Sequence, residues 1–164
     1  VRAAREVFAQ DGPTAPLSSV ARRAGVGQGT LYRHFPDRAS LALAVFERNV
    51  VDLEALASTG ASLDDLLALL TRQALHSVAF VDMARPADER LAVVLRRVGV
   101  TLEAALGQAR DRGEVRADLS MDDLLLAIGM VATGVAAVQA DERQRVADAA
   151  WRLLRRGLGG QHAP

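Results

Sequence analysis

Apolar residues recur along the chain at i, i+3, i+4 and i+7, and no sustained alternation of period two interrupts them. Such spacing places the apolar positions on one face of a helix, so the pattern predicts an all-α protein. The first helix runs from the start to about Gln10, with Val1, Ala4, Val7 and Phe8 inward, and stops at Asp11, Gly12 and Pro13. Pro16 suits the first turn of a second helix capped by Thr14 or Ala15, with Leu17, Val20, Ala21 and Ala24 inward until Gly25 ends it. A short third helix fits residues 28–35 and stops at Pro36. Asp37 then caps a long fourth helix that reaches about Ser58 on Leu41, Val45, Phe46, Val50 and Leu53. Beyond Thr59 and Gly60 the helices lengthen. Ser62 caps one that continues to about Ala84, and residues 86–112 read as one helix or as two broken near Gly99. Ser120 caps another through about Ala140, and Asp141 or its neighbour opens a last one through Arg156, closed by the run Gly157, Leu158, Gly159 and Gly160. The acid pairs Asp64 with Asp65 and Asp122 with Asp123 sit in first turns, where the helix dipole favours them.

The chemistry concentrates in residues 17–38. A helix of about two turns, a turn at Gly25, Val26 and Gly27, and a second short helix make a helix-turn-helix, in which Gly25 supplies the positive φ of the tight turn. Ala21 is small where the two helices cross, Val26 is expected to plug the corner between them, and Leu31 points back into a three-helix core. That leaves Gln28, Gly29, Thr30, Tyr32, Arg33 and His34 on the outward face. Gln makes bidentate contacts to adenine, a Thr methyl meets a thymine methyl, and Gly29 allows close backbone approach. Tyr32, His34 and Arg38 suit phosphate oxygens, as do the first N–H groups of the fourth helix.

Charge agrees with that placement. The chain of 164 residues has a formal net charge of zero. Its first 50 residues nevertheless hold seven Arg against four acids, a net of +3 balanced by −3 in the remainder, so the amino-terminal end is the one suited to an anionic partner. Every basic residue apart from His is Arg, a bias expected of a GC-rich bacterial genome. The opening at Val1 within a helical pattern predicts further residues upstream. Cysteine is absent, which excludes disulfides, thiolate catalysis and Cys-ligated metals. The three His are scattered without metal-ligand spacing, and His76 beside Ser77 sets the pair on different sides of a helix, so neither a metal site nor a catalytic site is expected. No apolar run approaches the roughly 18 residues of a membrane span. A cytoplasmic location at the bacterial nucleoid is expected, with no cofactor and no membrane partner.

The run Ala24-Gly25-Val26-Gly27-Gln28-Gly29-Thr30-Leu31-Tyr32-Arg33-His34-Phe35, followed by Arg38 and Leu41, resembles the helix-turn-helix signature of TetR-family transcriptional regulators. Phe8-Ala9-Gln10-Asp11-Gly12 resembles the end of that family's first helix. Two positions depart from it: Gly27 stands where the family usually has a capping Ser, and Arg38 where it usually has Lys. The resemblance covers residues 1–46, and residues 113–119 resemble the loop before the family's penultimate helix. It implies a helix-turn-helix DNA-binding domain over residues 1–46 and a larger helical domain for ligand binding and dimerisation over residues 47–164. The function implied is that of a repressor, a homodimer on a palindromic double-stranded DNA operator, released by a small effector. An enzyme or an interaction module that keeps the helix-turn-helix for protein contacts is the rival. The absence of a convergent acid–base pair weighs against the enzyme, and the basic first 50 residues weigh against the module.

Two further sites are expected. The helix from Ser120 is apolar over much of its circumference, with Leu124, Leu125, Ile128, Val131, Ala132, Val135 and Ala136 and with Gly129 and Gly134 among them. Together with Ala150, Leu153 and Leu154 of the last helix, Leu125, Ile128, Ala132 and Val135 are expected to form a four-helix interface between two copies, as the resemblance also implies. The resemblance further implies a ligand pocket within the long helices, and there the inward sets are almost wholly apolar. Leu67, Leu70, Phe80, Met83, Leu95, Leu102 and Met130 are expected inside, with Gln73, His76, Thr101 and Thr133 as the few polar anchors, a lining suited to a hydrophobic effector.

Overall fold

The computed structural model describes residues 1–12, 15–81, 89–139 and 141–158, with the backbone alone for Ala9 and for residues 75–81. Eight helices follow one another in these residues: α1 (Arg2–Asp11), α2 (Leu17–Ala24), α3 (Gln28–His34), α4 (Arg38–Ser58), α5 (Leu63–Val81), α6 (Glu89–Asp111), α7 (Met121–Ala136) and α8 (Arg143–Leu158). They belong to two compact units, one of residues 1–52 with 76–97 and one of residues 53–75 with 98–164.

In the first unit α1, α2, α3 and the beginning of α4 close around one apolar core. Ala4, Val7 and Phe8 of α1 meet Leu17, Val20 and Ala21 of α2, Leu31 of α3, and Leu41, Ala42 and Val45 of α4. Most of these are residues that the helical spacing sets inward; Val1 and Ala24, also expected inward, are exposed, and Ala42 joins the core without having been expected there. A polar tie crosses the same unit: Arg5 of α1 donates through Nη2 to the buried Asn49 Oδ1 and, at 3.4 Å, to Asp52 Oδ2. Arg23 of α2 reaches Glu6 at 3.1 Å and Gln10 at 3.1 Å on α1, so the outer edges of these helices are joined as well.

In the second unit α7 packs along α8, and the start of α5 and the latter part of α6 contribute Leu63, Leu66, Leu67, Leu102 and Leu106 as buried side chains. Trp151 is buried, and its indole N–H donates to Thr71 Oγ1 at 2.8 Å, fixing the ring against α5.

Three helix starts carry reciprocal caps. Asp37 Oδ1 accepts from Ser40 N at 2.7 Å while Asp37 N donates to Ser40 Oγ at 3.3 Å. Ser62 and Asp65 exchange the same pair of bonds at α5, and Ser120 and Asp123 do so at α7. The second acid of each expected pair thus acts through a hydrogen bond and not through the dipole alone. Ser62 hydrogen bonds, from its side chain first and its backbone second, hold the Asp65 carboxyl below its ordinary pKa. At Asp123 the Ser120 backbone bond leads and the side-chain bond follows, with the same direction.

Several boundaries differ from the reading of the sequence. Pro16 lies before α2 as its cap residue, with extended ψ of 141°, so it is not in the first turn; Thr14, the other expected cap, is outside the described residues. Helix α6 passes through Gly99 unbroken, and its expected start near residue 86 lies outside the described residues, as does the expected end of α5 near Ala84. Helix α7 ends at Ala136, where Ala137 N closes on Thr133 O, and Glu142 N donates to Gln139 O ahead of α8. Helix α8 continues past Arg156 to Leu158, within the run expected to close it.

Candidate nucleic-acid interface

The turn between α2 and α3 is made by the backbone. Gly25 has φ +69°, and its N–H closes on Arg22 O while Val26 N donates to Ala21 O at 3.0 Å. Because these bonds hold the corner, no side chain has to fill it: Val26 is 41% exposed, which corrects its expected role as a plug. Ala21 and Leu31 are buried as the crossing requires.

Leu31 anchors α3 inward, and the positions around it turn outward. Gln28, Gly29, Tyr32, Arg33 and His34 are exposed and Thr30 is half-buried, so the side chains chosen for base and phosphate contact share the accessible surface of one short helix. A Cβ at Gly29 would meet no neighbouring atom, and the backbone there is open to a close approach. Gly27 caps α3 with φ −67° and ψ 149°, an ordinary extended conformation, and provides no side-chain bond to the helix start.

The residues beyond α3 are more engaged than the sequence suggests. Arg38 is half-buried, donates from Nη2 to Ala15 O at 2.7 Å and lies 5.8 Å above the Phe8 ring centroid. It therefore ties the segment before α2 to the start of α4. The N–H of Ser40, in the first turn of α4, is taken by Asp37, so that helix start does not offer all its donors to a phosphate.

Comparison with known proteins agrees with this geometry. Residues 1–45 match the family model for bacterial regulatory proteins of the tetR family. Residues 1–45 thus form a domain of the tetR-family type. A search of curated proteins finds no significant match. Among solved structures, the TetR transcriptional regulator SCO0520 from Streptomyces coelicolor is similar at 26% identity with a TM-score of 0.74, over 98% of this chain and 96% of that one. The TetR-family protein CprB from S. coelicolor A3(2) shares the fold at 22% identity and a TM-score of 0.57, over 98% and 86% of the two chains. So does the fatty acid degradation regulator FadR from Bacillus halodurans, at 19% identity and 0.56, over 96% of each. The fold is that of TetR-family regulators: an amino-terminal helix-turn-helix domain followed by further helices.

The residues expected at the other two sites are placed less simply. On α7 the buried stripe is Leu124, Ala127, Val131 and Val135, so Val135, expected at a dimer interface, is instead packed within its own chain. Packing against α8 decides this: a Cβ at Gly134 would stand 3.7 Å from Val146. Ile128, Ala132, Ala150 and Leu154 are half-buried, and Leu125 and Leu153 are exposed. The exposed face also includes Leu126 (63% exposed) and Met130, which sequence reasoning did not assign to it. Their positions at i+1 and i+5 from Leu125 carry the signal, but it is hidden by apolar residues all round the helix.

Of the expected ligand residues, Leu102 is fully buried and Leu70, Gln73 and Thr101 are half-buried. Met130 and Thr133 are exposed on α7 and do not face inward, and Leu95 is 60% exposed. The buried stripe of α7 passes through Val131 and Val135, one position from Met130 and two from Thr133. Met83 lies outside the described residues, as do the side chains of His76 and Phe80. In the second unit a cavity of about 300 Å³ opens between the starts of α5 and α7 and the ends of α6 and α8. Leu67 lines it, but among the described residues none of the others expected at the ligand pocket does. Among the described residues no group of three His, Asp or Glu side chains forms a metal site, and no helix is long and apolar enough to cross a membrane.

Proposed function

We propose that the chain is a transcriptional regulator that binds a palindromic operator as a homodimer, represses from it, and is released by a small hydrophobic effector. The observation that carries the reading is the outward face of α3, where Gln28, Gly29 and Thr30 precede Tyr32, Arg33 and His34 on an accessible helix anchored by Leu31. Gln28 and Thr30 read base edges in the major groove, and Tyr32, Arg33 and His34 fix the helix on the phosphates. Arg38 contributes by setting the start of α4 and adds its charge at the same end. Residues 1–46 act as the DNA-binding domain and residues 47–164 as the effector and dimer domain.

The homodimer follows from the surface of α7 and α8. Leu125, Leu126 and Met130 with Leu153, which is 69% exposed, form an apolar face that a second copy covers. Ile128, Ala132, Ala150 and Leu154 flank it. A two-fold dimer holds its recognition helices for half-sites about 34–36 Å apart or a multiple of that distance.

Selection of genomic fragments bound by the purified protein tests the reading. Enrichment of a sequence with two inverted half-sites is expected, and the genes beside it identify what is regulated. Enrichment of nothing, or of sequences without inverted symmetry, would overturn it.

A further inference from the structure

The cavity of the second unit has the composition of a binding site for a small amphiphile. Its walls are Leu63, Leu67, Leu119, Leu124 and Trp151, all buried, and its mouth carries Asp64, Glu114 and Arg155. The volume of about 300 Å³ lies at the lower end of small-molecule sites, which run from about 300 to 1,000 Å³. A single ring or a short alkyl chain is the size of body that it takes. Trp151 is held in the wall by its bond to Thr71, so the cavity has a fixed aromatic side and not a side chain free to collapse into it.

The charges at the mouth select the head group. Arg155 already faces Asp64 at 3.5 Å, and Glu114 is paired with Arg112 at 3.6 Å, all with side chains partly open to water. The charged groups of the lining are thus two carboxylates and one guanidinium, with the Arg112 guanidinium beside Glu114. An anionic head would meet two like charges, and both nearby guanidinium groups, of Arg155 and Arg112, are already engaged by them. A protonated amine would share Asp64 and Glu114 while remaining hydrated, so that burial of charge is not required.

We infer that this cavity binds a small apolar molecule bearing a cationic amine, with its body against Trp151 and its amine at Asp64 and Glu114. The inference rests on the effector reading for its regulatory meaning, but its binding test needs no DNA. Trp151 is the only tryptophan of the chain, so its emission reports the cavity wall directly.

Octylamine, octanol and octanoate, matched in length and different in head group, are titrated into the full chain while Trp151 emission is followed. A saturable change is expected with octylamine, about three- to fivefold weaker binding with octanol, as a partly exposed ion pair allows, and still weaker binding with octanoate. Asp64→Asn should remove most of the advantage of octylamine over octanol and leave octanol binding unchanged. Ala109→Leu, which fills the wall, should weaken all three; its helical circular dichroism is compared with that of the parent, and Asp64→Asn remains the test if it does not fold. No saturable response, octanoate binding as well as octylamine, or an amine preference that survives Asp64→Asn would each overturn the inference. Octylamine binding at Trp151 without a change in operator affinity would contradict the effector role and leave the site standing. Operator release by an apolar compound that leaves Trp151 emission unmoved would do the reverse.

Discussion

Helices α3 and α7 each bury one face, yet they differ in how that face is decided. In α3 the outward positions are polar and Leu31 is the inward anchor, so the accessible face follows from residue types alone. In α7 apolar residues surround the axis, and packing against α8 chooses Leu124, Ala127, Val131 and Val135 for burial while Leu125, Leu126 and Met130 remain outside. A helix with a polar face declares its orientation. One without such a face takes its orientation from its neighbours.

The largest effects should separate buried anchors from exposed apolar residues. Leu31→Ala and Leu124→Ala each remove a buried side chain and should cost about 2–5 kcal/mol in urea unfolding. Leu126→Ala, at an exposed position, should change the stability of the monomer by no more than about 0.5 kcal/mol. Equal losses at Leu124 and Leu126 would erase the assigned inner and outer faces of α7.

The exposed face gives a second contrast. Leu126→Arg with Leu153→Arg places charge where a second copy is proposed to sit, and sedimentation at micromolar concentration should shift from dimer to monomer with helix content retained. A dimer that persists would move the interface elsewhere.

A smaller effect is expected at the turn. Gly25→Ala forces a Cβ onto φ +69° and should destabilise the first unit by about 1–2 kcal/mol, although no neighbouring atom obstructs the added carbon. At the cap of α7, Ser120→Ala should cost about 0.5–2 kcal/mol, whereas Gly27→Ser at the cap of α3 should gain only a few tenths. The caps also predict a direction with pH. The Asp65 and Asp123 carboxyls lie below the ordinary value of 3.8, so the unfolded chain takes up protons before the folded one does. Their contribution is fully present above that value and is lost as the pH falls through the lower, folded values. Acid titration of helix content should therefore show a weaker dependence below pH 4 in Ser120→Ala than in the parent.

The amino-terminal elements were legible because their punctuation is local. Gly25, Pro36 and Asp37 fix the ends of α2, α3 and the start of α4 through backbone conformation and capping, and Ala21 and Leu31 are the residues that the crossing demands. What the sequence could not show was the commitment of side chains across that unit. Arg38 looks like a free cation in sequence, but Ala15 O and the Phe8 ring, 23 and 30 positions away, set its place. Val26 looks like a plug until the bond from its N–H to Ala21 O is known. In the second unit the cavity gathers Asp64, Leu119 and Trp151 from three separate stretches, and no spacing along the chain announces it.

In the proposed function α3 reads sequence while its neighbours supply position. That division is tested most directly by measuring the affinity of the parent and of Gln28→Ala with Thr30→Ala for the selected duplex and for a scrambled duplex, each across a range of salt. The parent should prefer the selected duplex, and the double variant should lose about 1–3 kcal/mol of discrimination for each base contact removed while keeping the same salt slope on scrambled DNA. A double variant that retains the full preference, or a parent that binds both duplexes alike, would mean that α3 does not read the sequence.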